Sequence, residues 1–261
     1  MLKPITAQST SRICCLLLGP AGIGKTSQIR CLLGQDWDRE KGQWVQSACP
    51  PEKTLVLSAE SGLLAAHDLV VSGQVEGYEI RSLTEFKEAL QYCQSNAFRE
   101  AGYQWVFIDS LTEIAARCAE DMQAKYPSKA DSFKLWGEYT QTMTDIIKTF
   151  RDLPGVNVCF TCLVATEKDE FQRRFPVPDI SGSGLKNRLT SYFDEALVME
   201  RMRLEDGTEF LAFKTREPVG LAKDRSGRLN PLEKPNLLSV KQKILSINAT
   251  AASATATTAT E

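Results

Sequence analysis

The sequence has few of the features that mark a membrane, secreted or metal-bound protein. It contains one histidine, and its 31 basic and 33 acidic residues leave a formal net charge of −2. The apolar run 13–18 is far too short to cross a bilayer, and residues 1–12 lack the apolar region of a signal peptide. Because the charge is balanced, any nucleic-acid contact must come from a local patch. We expect a cytoplasmic protein with no membrane association.

Eight cysteines are present, but their spacing does not complete a metal site. Cys14, Cys15, Cys159 and Cys162 lie in predicted buried strands, where cysteine behaves as a small hydrophobe. The spacing Cys159-x-x-Cys162 is that of half a zinc site, yet residues three apart in a strand point to opposite faces. No second cysteine pair and no histidine pair completes such a site. We therefore expect reduced structural thiols.

One stretch has a specific chemical signature, and its residues are Gly19, Pro20, Ala21, Gly22, Ile23, Gly24, Lys25, Thr26 and the following Ser27. The spacing is G-x-x-x-x-G-K-[ST], that of a phosphate-binding loop. Glycines let backbone N–H groups turn toward an anion, Lys25 can reach the β- and γ-phosphates, and the Thr26 hydroxyl can ligate Mg²⁺. The flanks predict a buried strand over 13–18 and a helix over 26–33 whose N-terminus faces the phosphates. ATP and Mg²⁺ are the expected cofactors.

Two acidic residues lie at the carboxyl ends of predicted strands. Asp109 ends the apolar run that starts at Trp105, and it is expected beside Thr26, where it would position Mg²⁺. Glu60 follows the strand 54–58, at an edge where ligands bind in open α/β sheets. From position alone, Glu60 is either a catalytic carboxylate or a solvated loop acid.

Strands alternate with helices along the chain, which predicts an α/β fold with a mainly parallel sheet covered on both faces. A C-terminal antiparallel hairpin is expected about Asp206-Gly207. The remaining predictions are strands at 54–58, 78–80, 105–110 and 156–163, helices after Ser82 and at 111–126, 131–153, 185–192 and 237–247, long connections at 35–53 and 164–184, and a linker at 231–235. We divide the chain into a flexible arm (1–12), a nucleotide-binding core (13–247) and a disordered tail (248–261).

The connection 164–184 interleaves cations with aromatic rings; these residues are Lys168, Phe171, Arg173, Arg174 and Phe175. Cations for phosphates and rings for bases suit a loop that binds single strands. Acidic residues dilute that charge, so a mobile surface lid is the alternative.

Lys214 and Arg216 follow the predicted hairpin. Alternation along a strand places both side chains on the same side. They are either a solvated strand end or a pair of cations that stabilise charge at a neighbouring subunit's γ-phosphate.

Taken together, these stretches resemble the core-only RecA-like ATPases of bacteriophages and prophages, which act as single-strand annealing proteins in recombination. The similarity runs from about Arg12 to about Ile247. In such enzymes a strand ends in "A-E", whose glutamate orients the attacking water, and Ala59-Glu60 is similar to it. The segment 181–186, Ser-Gly-Ser-Gly-Leu-Lys, is similar to the close of a DNA-binding loop and adds Lys186 to the DNA contacts. Lys214-Thr215-Arg216 is similar to a K-x-[KR] pair that reaches the next subunit.

The resemblance implies a DNA-dependent Mg²⁺-ATPase in the bacterial or phage-infected cytoplasm. Its expected partners are single-stranded DNA, copies of itself in a ring or short filament, and a single-strand-binding protein. Two other hypotheses stay open at this point: a nucleotide-switched loader for replication or recombination proteins, and a small-molecule P-loop kinase.

Overall fold

The computed structural model describes residues 11–60, 63–217 and 220–245. The strands are β1 Cys14–Leu18, β2 Gln35–Asp38, β3 Gln43–Gln46, β4 Thr54–Ser58, β5 Glu76–Glu79, β6 Trp105–Asp109, β7 Asn157–Cys162, β8 Val164–Lys168, β9 Arg174–Pro178, β10 Glu195–Arg203, β11 Glu209–Lys214, β12 Lys223–Asp224 and β13 Leu232–Glu233. The helices are α1 Gln28–Leu32, α2 His67–Val71, α3 Leu83–Gln94, α4 Asn96–Ala101, α5 Leu111–Lys125, α6 Ser132–Arg151, α7 Ser183–Lys186 and α8 Leu237–Leu245. Residues 1–10 of the predicted arm and the whole of the predicted tail (248–261) lie outside the described residues.

Six parallel strands form the centre of a nine-stranded sheet, in the order β10, β1, β7, β6, β4, β5. β11 and β12 pair antiparallel with β10, and β13 pairs antiparallel with β11. The predicted α/β class, with a mainly parallel sheet and a C-terminal antiparallel hairpin, is confirmed. β7 separates β1, which leads into the phosphate loop, from β6, which ends in Asp109.

Both faces of the sheet are apolar because successive strand residues point to opposite sides. Leu16 and Phe160 pack in a cluster with α3, α5 and α6, whereas Leu17 and Phe107 pack with α1, α2 and α8. All four side chains are fully buried, and each contributes about 1.5–3 kcal/mol through burial. Helices therefore cover both faces, as predicted.

The cysteines follow the same two-sided pattern. Cys162 lies in the first cluster and Cys159 in the second, so their side chains point to opposite faces. All eight cysteines are buried free thiols. Within the described residues, no three His, Cys, Asp or Glu side chains gather in a group able to hold a metal ion.

Side-chain caps start two of the long helices. The Ser82 hydroxyl accepts from the Glu85 N–H (3.1 Å), and the Glu85 carboxylate accepts from the Arg81 N–H (2.6 Å). The Ser110 hydroxyl caps α5 in the same way. The helix predicted after Ser82 therefore begins with a capping box. In the part of the chain that the structure describes, no helix is both long enough and apolar enough to span a membrane.

Three stretches predicted to be irregular contain strands. β2 and β3 form a hairpin within 35–53, β8 and β9 form another within 164–184, and β13 lies within 231–235. β8 and β9 were missed because most of their residues are exposed and β9 carries two prolines, at 176 and 178. Prolines two residues apart face the same edge of a strand, and an outer edge needs no N–H donor.

The first helix is shorter than predicted. α1 begins at Gln28 because the N–H groups of Gln28 and Ile29 donate to the carbonyls of Lys25 and Thr26, three residues back. Thr26 and Ser27 thus remain in the turn. The predicted helix 185–192 is likewise divided, into α7 and a 3-10 turn, Leu189–Tyr192.

Candidate nucleotide site

The glycine-rich turn connects β1 to α1 at the carboxyl edge of the sheet. Gly22 (φ +71°) and Gly24 (φ +104°) take left-handed conformations that side chains disfavour. Gly19 is constrained by space, because a Cβ there would lie 3.0 Å from the carbonyl oxygen of Met199. The Gly19 N–H donates to the Cys162 carbonyl (3.3 Å), so the turn is fastened to β7.

Lys25 is buried within this turn. Its ammonium donates to the carbonyls of Gly19 (2.9 Å) and Pro20 (2.8 Å). Burial lowers the pKa of Lys25, while the carboxylates of Asp109 and Glu60 act in the opposite direction. The turn thus holds a desolvated cation whose hydrogen-bond partners are its own carbonyls, an arrangement suited to exchange for an anion.

Asp109 lies at the end of β6 and is also buried. It accepts hydrogen bonds from the hydroxyls of Thr26 (2.6 Å) and Thr161. Burial raises the pKa of Asp109, and these two hydrogen bonds counteract the shift. The structure thereby brings together the two residues that the sequence suggested as Mg²⁺ positions, and adds Thr161, which sequence reasoning missed. A polar residue near the carboxyl end of a mostly apolar strand was the available signal.

Glu60 follows β4 and is exposed beside Asp109. The N–H groups of Ala59 (2.6 Å) and Glu60 (3.3 Å) donate to the Asp109 carbonyl, and the Ser58 hydroxyl donates to the Glu60 carbonyl (2.8 Å). Arg117 on α5 donates to the Ala59 carbonyl (2.8 Å). The backbone that carries Glu60 is therefore fixed from three directions. Arg117 had no local sequence signal, since its partner is 58 residues away.

The residues present suit a nucleotide with Mg²⁺. Hydroxyl and carboxylate oxygens, as on Thr26 and Asp109, are the ligands that Mg²⁺ prefers. The Gly22 position has open space where a Cβ would point, so the turn can admit phosphate oxygens close to its backbone. Lys25 supplies the positive charge.

Lys214 and Arg216 lie on the other side of β10 from the phosphate-loop strand. Lys214 ends β11 opposite Val198, which also pairs with Leu18, so it lies level with the start of the turn. Its ammonium forms an ion pair with Glu217, which raises the pKa of Lys214.

Arg216 lies beyond the end of β11 and is held by a different acid. Its guanidinium donates to the buried Asp224 (2.8 Å) and to the Leu229 carbonyl (2.8 Å). Both cations are therefore engaged within their own chain, and the structure does not bring them against the glycine-rich turn.

The aromatic and basic residues of 164–184 lie on the β8–β9 hairpin. Phe171 at the tip is 75% exposed, and the Arg173 guanidinium lies over its ring at 5.1 Å while pairing with Asp169 (2.6 Å). Lys168 and Arg174 are cross-strand partners. Of the remaining two suggested contacts, Phe175 is exposed and pairs with Glu167 across the strands, whereas Lys186 on α7 forms an ion pair with Glu167.

A buried lysine in a glycine-rich turn, next to a threonine–aspartate contact at the carboxyl edge of a parallel sheet, defines the class as a P-loop nucleotide-binding protein. Consistent with this, the AAA domain family matches residues 11–226. The match covers most of the chain, and the protein belongs to this family of P-loop ATPases. A comparison with curated proteins finds no match.

Proposed function

We propose that the protein is a Mg²⁺-ATP-dependent, RecA-like ATPase that binds single-stranded DNA and promotes strand annealing in phage-type recombination. The observation that carries this proposal is the position of the β8–β9 hairpin directly after β7. The hairpin follows β7 after one residue, Leu163, and Thr161 in β7 donates to Asp109. An exposed aromatic and basic tip is thus joined by a short covalent path to the residue that would position Mg²⁺.

In this proposal the nucleotide residues divide the chemistry. Lys25 would neutralise the β- and γ-phosphates, Thr26 and Asp109 would hold Mg²⁺, and Glu60 would polarise the attacking water. When bound, Mg²⁺ neutralises charge on the phosphates. Arg117 keeps Glu60 in place through the Ala59 carbonyl.

Single-stranded DNA would lie along the hairpin. Phe171 offers an exposed ring for a base, and Lys168 and Arg174 form a cationic cross-strand pair for the phosphates. Arg173 and Lys186 would add charge once they leave the acids that now pair with them.

Lys214 and Arg216 would act on the nucleotide of a neighbouring copy. β11 is two strands from β1, about 10 Å at the usual strand spacing, and β10 lies between them. This places the two cations toward the edge of the sheet, where a second copy of the chain could present its phosphate loop. Their ion pairs with Glu217 and Asp224 would open when the subunits associate.

One observation favours the alternative of a nucleotide-switched loader for replication or recombination proteins. Two of the suggested DNA-binding cations, Arg173 and Lys186, are paired with acids within the chain, which reduces the local positive charge. A protein partner would tolerate this balance better than DNA would.

The ATPase rate with and without single-stranded DNA, together with mass measured by light scattering, tests the proposal. We expect Mg²⁺-dependent hydrolysis that rises severalfold with DNA, in an oligomer. Hydrolysis at full rate by a monomer that ignores DNA would contradict it, and nucleotide-dependent binding of a protein partner without DNA binding would favour the loader.

A further inference from the structure

A pocket adjoins the phosphate loop on the side of the β2–β3 hairpin. Its volume is about 410 Å³, within the range of roughly 300–1,000 Å³ that is usual for small-molecule sites. Residues from the phosphate loop, the β2–β3 hairpin, β10 and β11 line it, among them Gly24, Ser27, Trp37, Trp44, Met199 and Phe210. The pocket is thus continuous with the turn that would hold phosphates, and three of its lining residues, Trp37, Trp44 and Phe210, are aromatic.

The two tryptophans are built into a rigid wall. Trp37 and Trp44 are cross-strand partners with ring centroids 5.5 Å apart, in an edge-to-face contact. The Arg30 guanidinium of α1 lies 5.5 Å from the Trp44 ring and donates to Gln35 (3.2 Å). Trp44 is therefore held against α1, whereas Trp37 is 48% exposed and presents open ring surface.

Two polar side chains at the pocket wall, Gln28 and Asp36, form hydrogen bonds within the protein. The Gln28 amide donates to the Pro235 carbonyl (2.9 Å) and accepts from the Leu237 N–H (3.1 Å). The Asp36 carboxylate accepts from Lys234 and from Asn236 (3.2 Å). These side chains fix the wall, which leaves its aromatic faces and the exposed Arg39, which also lines the pocket, as the contacts for an occupant.

We propose that this pocket binds the nucleobase of the nucleoside triphosphate whose phosphates occupy the glycine-rich turn, with Trp37 as the stacking residue. The inference rests on the proposed nucleotide binding and assigns a role to the 35–53 connection. Since stacking dominates over hydrogen bonding, the site holds adenine and guanine with affinities within about tenfold of each other.

Equilibrium titration of Trp37→Ala with Mg²⁺-ATP and with inorganic tripolyphosphate tests this assignment. Loss of one base–aromatic stack should weaken ATP binding about tenfold or more, whereas binding of tripolyphosphate, which has no base, stays within twofold of wild type. Trp37→Phe keeps a ring and should bind ATP within about threefold of wild type. Trp136→Ala, which removes a partly exposed tryptophan on α6, is the matched control and should bind both ligands normally.

Intrinsic tryptophan fluorescence gives a second readout. ATP should quench wild-type emission, tripolyphosphate should not, and Trp37→Phe should lose most of the ATP-dependent quenching. Unchanged ATP affinity in Trp37→Ala, or a preference for ATP over GTP above a hundredfold, would overturn the inference. If neither tripolyphosphate nor ATP binds the wild-type protein, the proposed nucleotide site itself is wrong. If both ligands bind and the Trp37 variants bind ATP as the wild-type protein does, the base lies elsewhere.

Discussion

Lys25 is a side chain that costs stability in the ligand-free protein and that, in the proposed nucleotide site, would be needed for binding. Its ammonium is buried and contacts carbonyls of its own turn, and burial lowers its pKa. A charge taken out of water without an ionic partner destabilises the ligand-free fold. The cost is recovered when an anion enters the turn.

Lys25→Met should therefore separate stability from binding. We expect the ligand-free melting temperature to stay equal or to rise by a few degrees, because the apolar stem remains and the buried charge is gone. The wild-type protein should gain about 2.7 kcal/mol at ATP concentrations a hundredfold above Kd, roughly 5–10 °C, and the variant should gain nothing. Lys41→Met, at an exposed lysine, is the control in thermal melts. An undiminished ATP-dependent shift in Lys25→Met would contradict the assignment.

Glu195 is a buried acid at the opposite edge of the sheet, at the start of β10. It pairs across the strands with Asp224, and its Oε2 has no hydrogen-bond partner among the described residues. Burial, with a smaller contribution from the Asp224 charge, raises the pKa of Glu195 to about 8 from an ordinary value of 4.5. Between those values the folded chain holds a proton that the unfolded chain releases, so this residue makes stability fall as pH rises.

Glu195→Gln should remove that dependence. We expect its melting temperature to exceed that of wild type at pH 8 by a few degrees. The difference should shrink as pH falls toward 4.5, where Glu195 is protonated in the folded chain and half protonated in the unfolded chain. Thermal melts across pH 4.5–8.5 measure the effect. Glu200→Gln, at a half-buried position on the same strand, should run parallel to wild type. A Glu195→Gln curve parallel to wild type would show that Glu195 ionises normally.

The elements differ in how well local sequence specifies them. The central strands β1, β4, β6 and β7 are dominated by apolar residues, because helices bury both of their faces, and the sequence predicts their bounds to within two residues. The β2–β3 and β8–β9 hairpins have largely exposed or half-buried residues, so no alternation marks them. Contacts between cross-strand partners stabilise these hairpins more than burial does. The hydrophobic pattern of a single sequence therefore does not predict them.

Two changes in the β8–β9 hairpin should shift the affinity for single-stranded DNA in opposite directions. Replacing Arg173 and Arg174 by alanine should weaken single-stranded DNA binding and reduce the slope of log K against log salt by about 1.4, since each phosphate contact contributes about 0.7. Asp169→Asn releases Arg173 from its ion pair and should strengthen binding at low salt. Fluorescence anisotropy over a salt series measures both, and Arg81→Ala, at an exposed arginine after β5, is the control. Equal slopes in all variants would assign the hairpin to another role.

The sequence separation between contacting residues also decides which site residues can be predicted from the sequence. The glycine-rich turn is contiguous, so its chemistry is readable from the chain alone. Thr161 and Arg117 act on residues 52 and 58 positions away, and only the strand order β1, β7, β6, β4 brings them together. The aromatic pocket likewise joins a hairpin near residue 40 to β11 and to the stretch before α8. Such contacts depend on topology, which local patterns leave open.

At the level of the assembly, mixed subunits test whether Lys214 and Arg216 act in trans. Glu60→Gln alone and the double variant Lys214→Ala/Arg216→Ala should each be nearly inactive. Mixing them should restore up to about a quarter of the wild-type rate per subunit, because random interfaces combine an intact Glu60 with an intact cation pair in about that proportion. Steady-state ATPase at several mixing ratios measures this. Oligomers that form and stay inactive at every ratio would count against cations supplied by a neighbour.

Because all eight thiols are buried, their chemical labelling can report local unfolding of the protein. With every sulfur shielded in the fold, a maleimide or disulfide reagent can label the chain only as fast as parts of it open, and each labelled position identifies the part. Cys14 and Cys15 lie in β1, the strand that leads into the phosphate loop, whereas the Cys49 sulfur contacts Gln242 of α8 (3.0 Å). We expect these two sites to label at different rates, and added nucleotide should slow labelling of Cys14 and Cys15 selectively.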